Sequence, residues 1–537
     1  MRFWIWDDAL QALDDPAPAA LPALQRAAFV KARDTSDFEG TVERQFDHHL
    51  LHQVTYDTLL KAERKLGRGA EFLAMTGEHA ERAGETALAI DCFEQAGKDA
   101  QSRFANAAAV SWLRRALVLL GDLAPTRRFA LLDRLGEMAS TVGDKQGEDA
   151  VHAEVAALLA LHPDDARQAQ LWFDMALLAG RRSDLAAAER LSWQSIALAE
   201  RCGAAMWAAM ARGNLAYRYL DRQDCARAGE HLEIALQWAG RIAPETDRAI
   251  TEAKLLTISA MVSEDLNRFD DARTILHSVL SRGVLLGSPR LQLSAIDNLA
   301  NIAGTLGRWE ERAGLAGRML ELAVSIGALP RVATTHYHWG LAAENLGDPA
   351  MAIRCYEDAL ASARATGNRR IEAAALAQLG AVHLACQEPV EALQWLDQAQ
   401  VLYGALDDSN GLGVAVAHAA QCALQLGQPA AARLKVDTVL ERLGSDLAAR
   451  PASQTIGLRW CCHQVLAALG DERAGPLLAQ LHVDVQATAA DRTDAGDRER
   501  LIQAIPSFRD IVAAGRVLRV TRPSGSLSHD FNHNVNH

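Results

Sequence analysis

Three histidines, His48, His49 and His52, form the densest cluster of potential metal ligands in the sequence. On a helix, His48 and His52 stand one turn apart, a spacing that a zinc or copper ion can bridge. No nearby cysteine completes a site, and the segment reads instead as a structural helix that His48 caps or packs. His336 and His338 are two residues apart, so on a helix they face different directions. His529, His533 and His537 have helical spacing but lie among Asn and Ser close to the last residue. Carboxylate pairs such as Glu310-Glu311 and Asp407-Asp408 fall at helix starts or in loops, where they favour the helix dipole. No G-x-x-x-x-G-K-[ST] run is present. Gly97-Lys98 is followed by Asp99, so the backbone cradle for a nucleotide's phosphates is missing. No serine or cysteine sits in a nucleophile elbow. The eight cysteines contain no C-x-x-C, and most suit small buried positions in a reducing compartment. The chemistry-bearing residues therefore predict no catalytic site, no metal and no cofactor.

The elements that carry these residues repeat. Turns recur at Asn267, Gly307, Gly347, Gln387 and Gly427, each 40 residues after the last. An apolar residue precedes each turn, as in Leu306-Gly307-Arg308-Trp309 and Leu346-Gly347-Asp348-Pro349, and Pro opens several of the following helices. Small residues recur in the first helix at Ala260, Ala300, Gly340, Gly380 and Ala420, and in the second at Ala272, Ala352, Ala392 and Ala432. Small positions at a constant offset let paired helices approach closely, with Trp339, Leu379, Tyr356 and Leu396 filling the space between. Arg312 breaks the second series. A fixed period in this range predicts a solenoid in which each unit buries its apolar face on its neighbours.

Around one unit, Trp339-Gly340, Leu346-Gly347-Asp348, Ala352, Tyr356 and Ala359-Leu360 resemble the tetratricopeptide repeat, in a longer form than its usual 34 residues. That resemblance implies that the first helix of each pair lines a concave binding face. The inward set is then Ser294, Asp297, Asn301 and Gly304, followed by Thr334, Tyr337, Leu341 and Glu344. It continues through Ala374, Ala377, Ala381 and Leu384 to Val414, Ala417, Gln421 and Leu424. The partner-binding residues expected from it are Asn301, Thr334, Tyr337, Leu341, Glu344, Ala377, Ala381, Leu384, Gln421 and Leu424. Such a face suits a protein or peptide partner.

Residues 1–66 lie outside the repeat. Phe29–Ala32 and Val42–Phe46 both alternate apolar and polar residues and predict a two-stranded wing. The run Phe46-Asp47-His48-His49-Leu50-Leu51-His52-Gln53-Val54-Thr55-Tyr56-Asp57-Thr58-Leu59-Leu60, with Trp6-Asp7-Asp8-Ala9-Leu10 before it, resembles a known winged-helix region. That region follows the ATPase core of bacterial STAND-type signalling proteins, many of them associated with class III adenylate cyclases. The resemblance implies a sensory and scaffolding half, with an NTPase or cyclase as a possible partner. Without a P-loop, ATP hydrolysis does not carry over to this chain.

Composition agrees. Hydrophobic residues make up 49% and charged residues 23%, with few aromatics, which predicts an all-α fold rich in Ala and Leu. The net charge of −13 argues against nucleic acid, which needs a basic stripe. No stretch reaches the ~18 consecutive apolar residues of a membrane span, and the apolar start is too short for a signal peptide, so a cytoplasmic protein is expected. The predicted organisation is a winged-helix-like head (1–66), irregular helix pairs (67–250), regular 40-residue tetratricopeptide-like repeats (251–482), a loop and helix (483–515) and a disordered tail (516–537). The expected function is a non-catalytic binding scaffold in bacterial signal transduction. The rivals are a detached C-terminal part of a STAND ATPase or adenylate cyclase, and a transcriptional regulator whose winged helix touches DNA.

Overall fold

The computed structural model describes residues 3–6, 30–32 and 43–46, then residues 69–521 apart from 104, 122–123, 183, 407, 445–451 and 491–494. Three short strands, β1 (Phe3–Trp6), β2 (Val30–Ala32) and β3 (Glu43–Phe46), form an antiparallel sheet in the order β1-β3-β2. The expected pairing of these two segments is present, with Val30 opposite Phe46 and Ala32 opposite Arg44. On the other edge of β3, β1 places Phe3 opposite Phe46. The helices that would complete a winged-helix unit lie outside the described residues, and so do His48, His49 and His52.

Every element described from Gly69 onward is a helix. Helix starts at Pro289, Leu329, Arg369 and Ser409 keep the 40-residue step, as do those at Phe269, Trp309, Pro349, Pro389 and Pro429. Asn267, Gly307, Gly347, Gln387 and Gly427 all take positive φ, as their place after each helix requires. The step is not confined to this region. Helices also start at Lys145, Asp165, Leu185, Ala205, Cys225 and Glu245, 20 residues apart, where looser spacing was expected. Asp144, Asp184 and Asp224 cap three of them, each accepting a backbone N–H three residues on. The two phases are offset because helix Glu245–Asp265 is 21 residues long rather than 17, one extra turn. That single insertion hides the earlier repeats from a fixed-period reading.

The chain divides into two compact units, Met1–Leu171 with Ser325–Ala328, and Trp172–Val324 with Leu329–His537. In the second, knobs from the second helix of a pair fill the space left by glycine on the first. A Cβ at Gly340 would stand 2.5 Å from the Tyr356 ring, and one at Gly380 would stand 2.5 Å from Leu396. Tyr356 and Leu396 are fully buried among Leu376, Leu379 and Val382. The last helices, Ala495–Ala504 and Pro506–Thr521, pack Leu501, Ile502, Phe508 and Ile511 on Leu478, Leu481 and Val485. Helix Pro506–Thr521 continues past Gly515, where a disordered tail was expected to begin, and residues 522–537 are not described.

All eight cysteines are free. Cys92, Cys355, Cys422 and Cys462 are buried as expected, whereas Cys202 and Cys386 are exposed. Among the described residues no helix is long and apolar enough to cross a membrane, and no group of three or more His, Cys, Asp or Glu is placed to hold a metal.

Candidate functional site

The repeat formed by helices Pro289–Thr305 and Trp309–Ser325 carries a buried arginine in its interior. Its fourth second-helix position is Arg312, where the other repeats place Ala188, Ala228, Ala272, Ala352, Ala392 and Ala432, each fully buried. Arg312 is buried too, at 7% exposure. Two small residues make room for it. Ala316 stands where the next two repeats place Tyr356 and Leu396. Gly304 lies so close that a Cβ there would overlap the guanidinium.

Among the described residues no carboxylate contacts the guanidinium. Arg312 Nη2 donates to His338 Nδ1 at 2.8 Å, and its Nε has no partner. Because a guanidinium can only donate, His338 Nδ1 must accept and the ring proton sits on Nε2. From there it is donated to Asp297 Oδ1 at 2.8 Å. Asp297 Oδ2 accepts from Arg331 Nη1 at 2.7 Å. Burial alone would raise the Asp297 carboxyl, but the His338 bond and the Arg331 charge hold it below the usual carboxylate range. Burial lowers the pKa of Arg312, an effect partly opposed by Tyr337, Tyr356 and Asp297. The result is a chain from a buried cation, through a neutral imidazole, to an aspartate and the half-exposed Arg331.

Tyr337 and Glu344 flank this chain. The Tyr337 ring centroid lies 6.0 Å from that of Tyr356 and 6.4 Å from His338. Tyr356 donates its hydroxyl proton to Glu344 Oε2 at 2.7 Å. Burial raises the Glu344 carboxyl, and the Tyr356 bond offsets part of that. The Arg331–Asp297 bond joins the first helices of two successive repeats here. Burial and the Asp221 carboxylate push up the Tyr217 hydroxyl, while Arg218 and Arg370 pull it down and Asp297 raises it further. Tyr217 belongs to helix Ala205–Asp221 and Arg370 to helix Arg369–Ala385.

Of the residues expected from sequence, Tyr337, Leu341, Ala377 and Leu384 gather in one cluster with Tyr356, and Glu344 joins it through the tyrosine hydroxyl. Ala377 and Leu384 are buried there, at 4% and 7% exposure, and offer no free surface of their own. Thr334 and Ala381 are half-buried and Asn301 is exposed. Gln421 donates to Gln464 at 2.6 Å, and Leu424 packs on a separate cluster around Val436. Arg331 and His338 were not among the expected residues. His336 cannot pair with His338, and the partners that His338 does have come from two other helices. Arg331 carries a sequence signal, its spacing. Arg115, Arg127, Arg167, Arg222 and Arg331 each bond a carboxylate 33 or 34 residues earlier, at Glu81, Glu94, Asp133, Glu189 and Asp297.

No protein-family model and no curated protein matches the chain. Solved structures do. BtubC from P. vanneervenii is similar over 42% of this chain and 92% of its own, at 20% identity and a TM-score of 0.35. A STAND protein with a tetratricopeptide repeat sensor from Pyrococcus horikoshii matches over 63% of this chain, at 14% identity and a TM-score of 0.43. This chain spans 52% of that protein. A Rap protein complexed with competence and sporulation factor matches over 66% of this chain and 99% of its own, at 12% identity and a TM-score of 0.43. These likenesses say nothing of what this chain binds. The fold itself is plain from its helices: from Gly69 onward the described residues form an all-α, tetratricopeptide-like repeat.

Proposed function

We propose that this chain is a non-catalytic scaffold that captures a peptide or an extended protein segment on the first-helix face around Asp297, Arg331 and Tyr337. The observation that supports this most is the convergence of side chains from separate first helices on partly exposed polar groups. The Arg331 side chain remains 42% exposed while bonded to an aspartate that is 16% exposed. An extended peptide offers alternating side chains and backbone amides to such a row, and Leu341, Ala381 and Leu424 supply apolar ground beside it. On this reading Asn301, Thr334, Glu344 and Gln421 orient the ligand, and Ala377 and Leu384 shape the floor from beneath. The resemblance of residues 46–60 to STAND-type signalling proteins supports a role in bacterial signal transduction inside the cell, with an ATPase or cyclase as the machinery the scaffold serves.

The test is selection of a random peptide library on the full chain, followed by affinity measurement on variants. Arg331→Glu should weaken a selected peptide by at least about tenfold, equivalent to ~1.4 kcal/mol. Leu434→Asp, at an exposed second-helix position, should leave binding unchanged. Binding that survives Arg331→Glu and is lost with Leu434→Asp would place the ligand on the opposite face and end this reading.

A further inference from the structure

The turn at 306–309 differs from its equivalents in one respect. Gly347 and Gly427 have open space where a side chain would point, but a Cβ at Gly307 would come within 2.5 Å of the Ala504 Cβ. Two residues on, the Trp309 indole N–H donates to the Ala504 carbonyl at 2.8 Å, a bond between residues 195 apart in sequence. Ala504 ends helix Ala495–Ala504, at the corner before Pro506. The corner itself is held from behind by the packing of Leu501, Ile502 and Phe508 on the preceding helix. Glycine is not needed at this turn for its backbone alone, because Asn267 and Gln387 take φ of 59° and 65° at equivalent turns. At 307 it is needed for the space that Ala504 fills.

Trp309 and Arg312 lie one turn apart on the same helix, and Gly304 and Gly307 flank the same helix end. The contact that seats the C-terminal corner and the contact that accommodates the buried guanidinium therefore share one helix–turn–helix. We infer that the C-terminal helix pair is a latch on the 307–309 turn, and that its seating fixes helix Trp309–Ser325 and with it the Arg312–His338–Asp297 chain. Release of the latch loosens the site, and occupation of the site alters the latch by the same free energy, since coupling between two positions is reciprocal. The C-terminal helices thus report the state of the first-helix face to whatever contacts them. The regulatory role rests on the proposed binding function, whereas the latch itself stands without it.

Amide hydrogen exchange on the full chain, with no ligand added, separates the two. Asn is tolerated at positive φ, so Gly307→Asn keeps the turn but obstructs Ala504, and Gly347→Asn makes the same change where nothing is displaced. In Gly307→Asn, exchange over residues 495–521 should rise more than about tenfold, with a smaller rise over helix Trp309–Ser325. In Gly347→Asn both segments should match the parent. Equal exchange of residues 495–521 in the two variants overturns the latch. Faster exchange there with helix Trp309–Ser325 unaffected overturns the coupling. Should Gly307→Asn lose its helical circular dichroism, Trp309→Phe serves instead. It removes the N–H donor together with part of the indole ring while leaving the turn's backbone unchanged, and exchange of residues 495–521 should rise at least about fivefold, with no rise counting against the latch.

Discussion

Two repeats of this protein, one in each unit, break the same rule in the same two places. At the ninth position of the first helix they carry Asp133 and Asp297, where others have Phe173, Gly213, Tyr337, Ala377 and Ala417. At the fourth position of the second helix they carry Glu148 and Arg312 in place of alanine, buried at 4% and 7% exposure. Each aspartate is bonded by an arginine 34 residues later, the third residue of the next first helix: Arg167 in one unit and Arg331 in the other. The copies diverge beyond this point. In the first unit, Gln170 completes Asp133 from the same helix as Arg167, and the bonds stay on that face. In the second, His338 completes Asp297 and carries the network inward to Arg312. The arginine–aspartate pair is thus a staple between successive first helices, available to any repeat. What distinguishes the second copy is the histidine that ties this staple to a buried cation.

The largest difference between the copies should appear on removing the arginines in turn. Arg167→Ala takes one partner from a pair in which both side chains are about one-third exposed, and should cost no more than about 1 kcal/mol. Arg312→Ala opens a cavity and strips His338 Nδ1 of its donor inside the core, which should cost about 3 kcal/mol. Hydrogen exchange of the adjacent first helices, Asp165–Arg181 and Leu329–Asn345, reads the two losses separately. Adding Ala300→Gly and Ala316→Leu to Arg312→Ala reproduces the Gly380, Ala392 and Leu396 arrangement of a neighbouring repeat, and should recover more than half of the loss. Equal costs at Arg167 and Arg312 would mean that the second copy is no more than another staple.

A second test concerns the glycine that admits Arg312. In the 40-residue phase Gly304 lies between Glu264 and Glu344, so its neighbours put carboxyls where it has no side chain. Glu344 receives the Tyr356 hydroxyl, but Glu264 has no such donor, and burial followed by the adjacent Asp265 pushes its carboxyl up to about 7. A carboxyl whose folded pKa is raised holds its proton more tightly in the native state, so stability falls as pH climbs from about 4.5 towards 7. Glu264→Gln should therefore match the parent at pH 4 and exceed it by on the order of 1–2 kcal/mol at pH 8. A gain of the same size at both pH values would assign the effect to shape rather than to charge.

The repeat was legible because its signals are local. A turn residue at positive φ, a proline at a helix start and an alanine beneath a bulky neighbour each announce themselves within a few positions. Five such turns in phase give the architecture, and the extra turn in helix Glu245–Asp265 is enough to mask the rest. Arg312 was visible as an exception, but its meaning was not. Its accommodation depends on Gly304 in the preceding helix and Ala316 four residues on, and its bonds reach His338 in the next helix. The inward set included Asp297, Tyr337 and Glu344, which the structure links through His338 and Tyr356. It could not show that Ala377 and Leu384 are buried, because burial there depends on which side chains of neighbouring helices pack against them. The contact of Trp309 with Ala504 has no sequence signal at all, since nothing local relates residues that far apart.

The smallest expected effect asks how far the polar character extends from Arg312. Tyr356 and Leu396 are equivalent knobs set against Gly340 and Gly380, and both are fully buried. They differ in the hydroxyl that Tyr356 gives to Glu344. Tyr356→Phe keeps the ring in its hole and leaves a largely buried carboxylate one donor short. The Glu344 carboxyl is already raised by burial, and it can respond by holding its proton more tightly. Protonation limits the cost to about 1 kcal/mol at neutral pH, and the cost should shrink as pH falls and the carboxyl neutralises. Chemical denaturation at pH 5 and pH 8 measures this, with the larger loss expected at pH 8. A pH-independent loss of ~3 kcal/mol, the size expected of a core truncation, would mean that the ring itself had moved. The polar interior would then depend on Tyr356 for shape, and the network would end at His338.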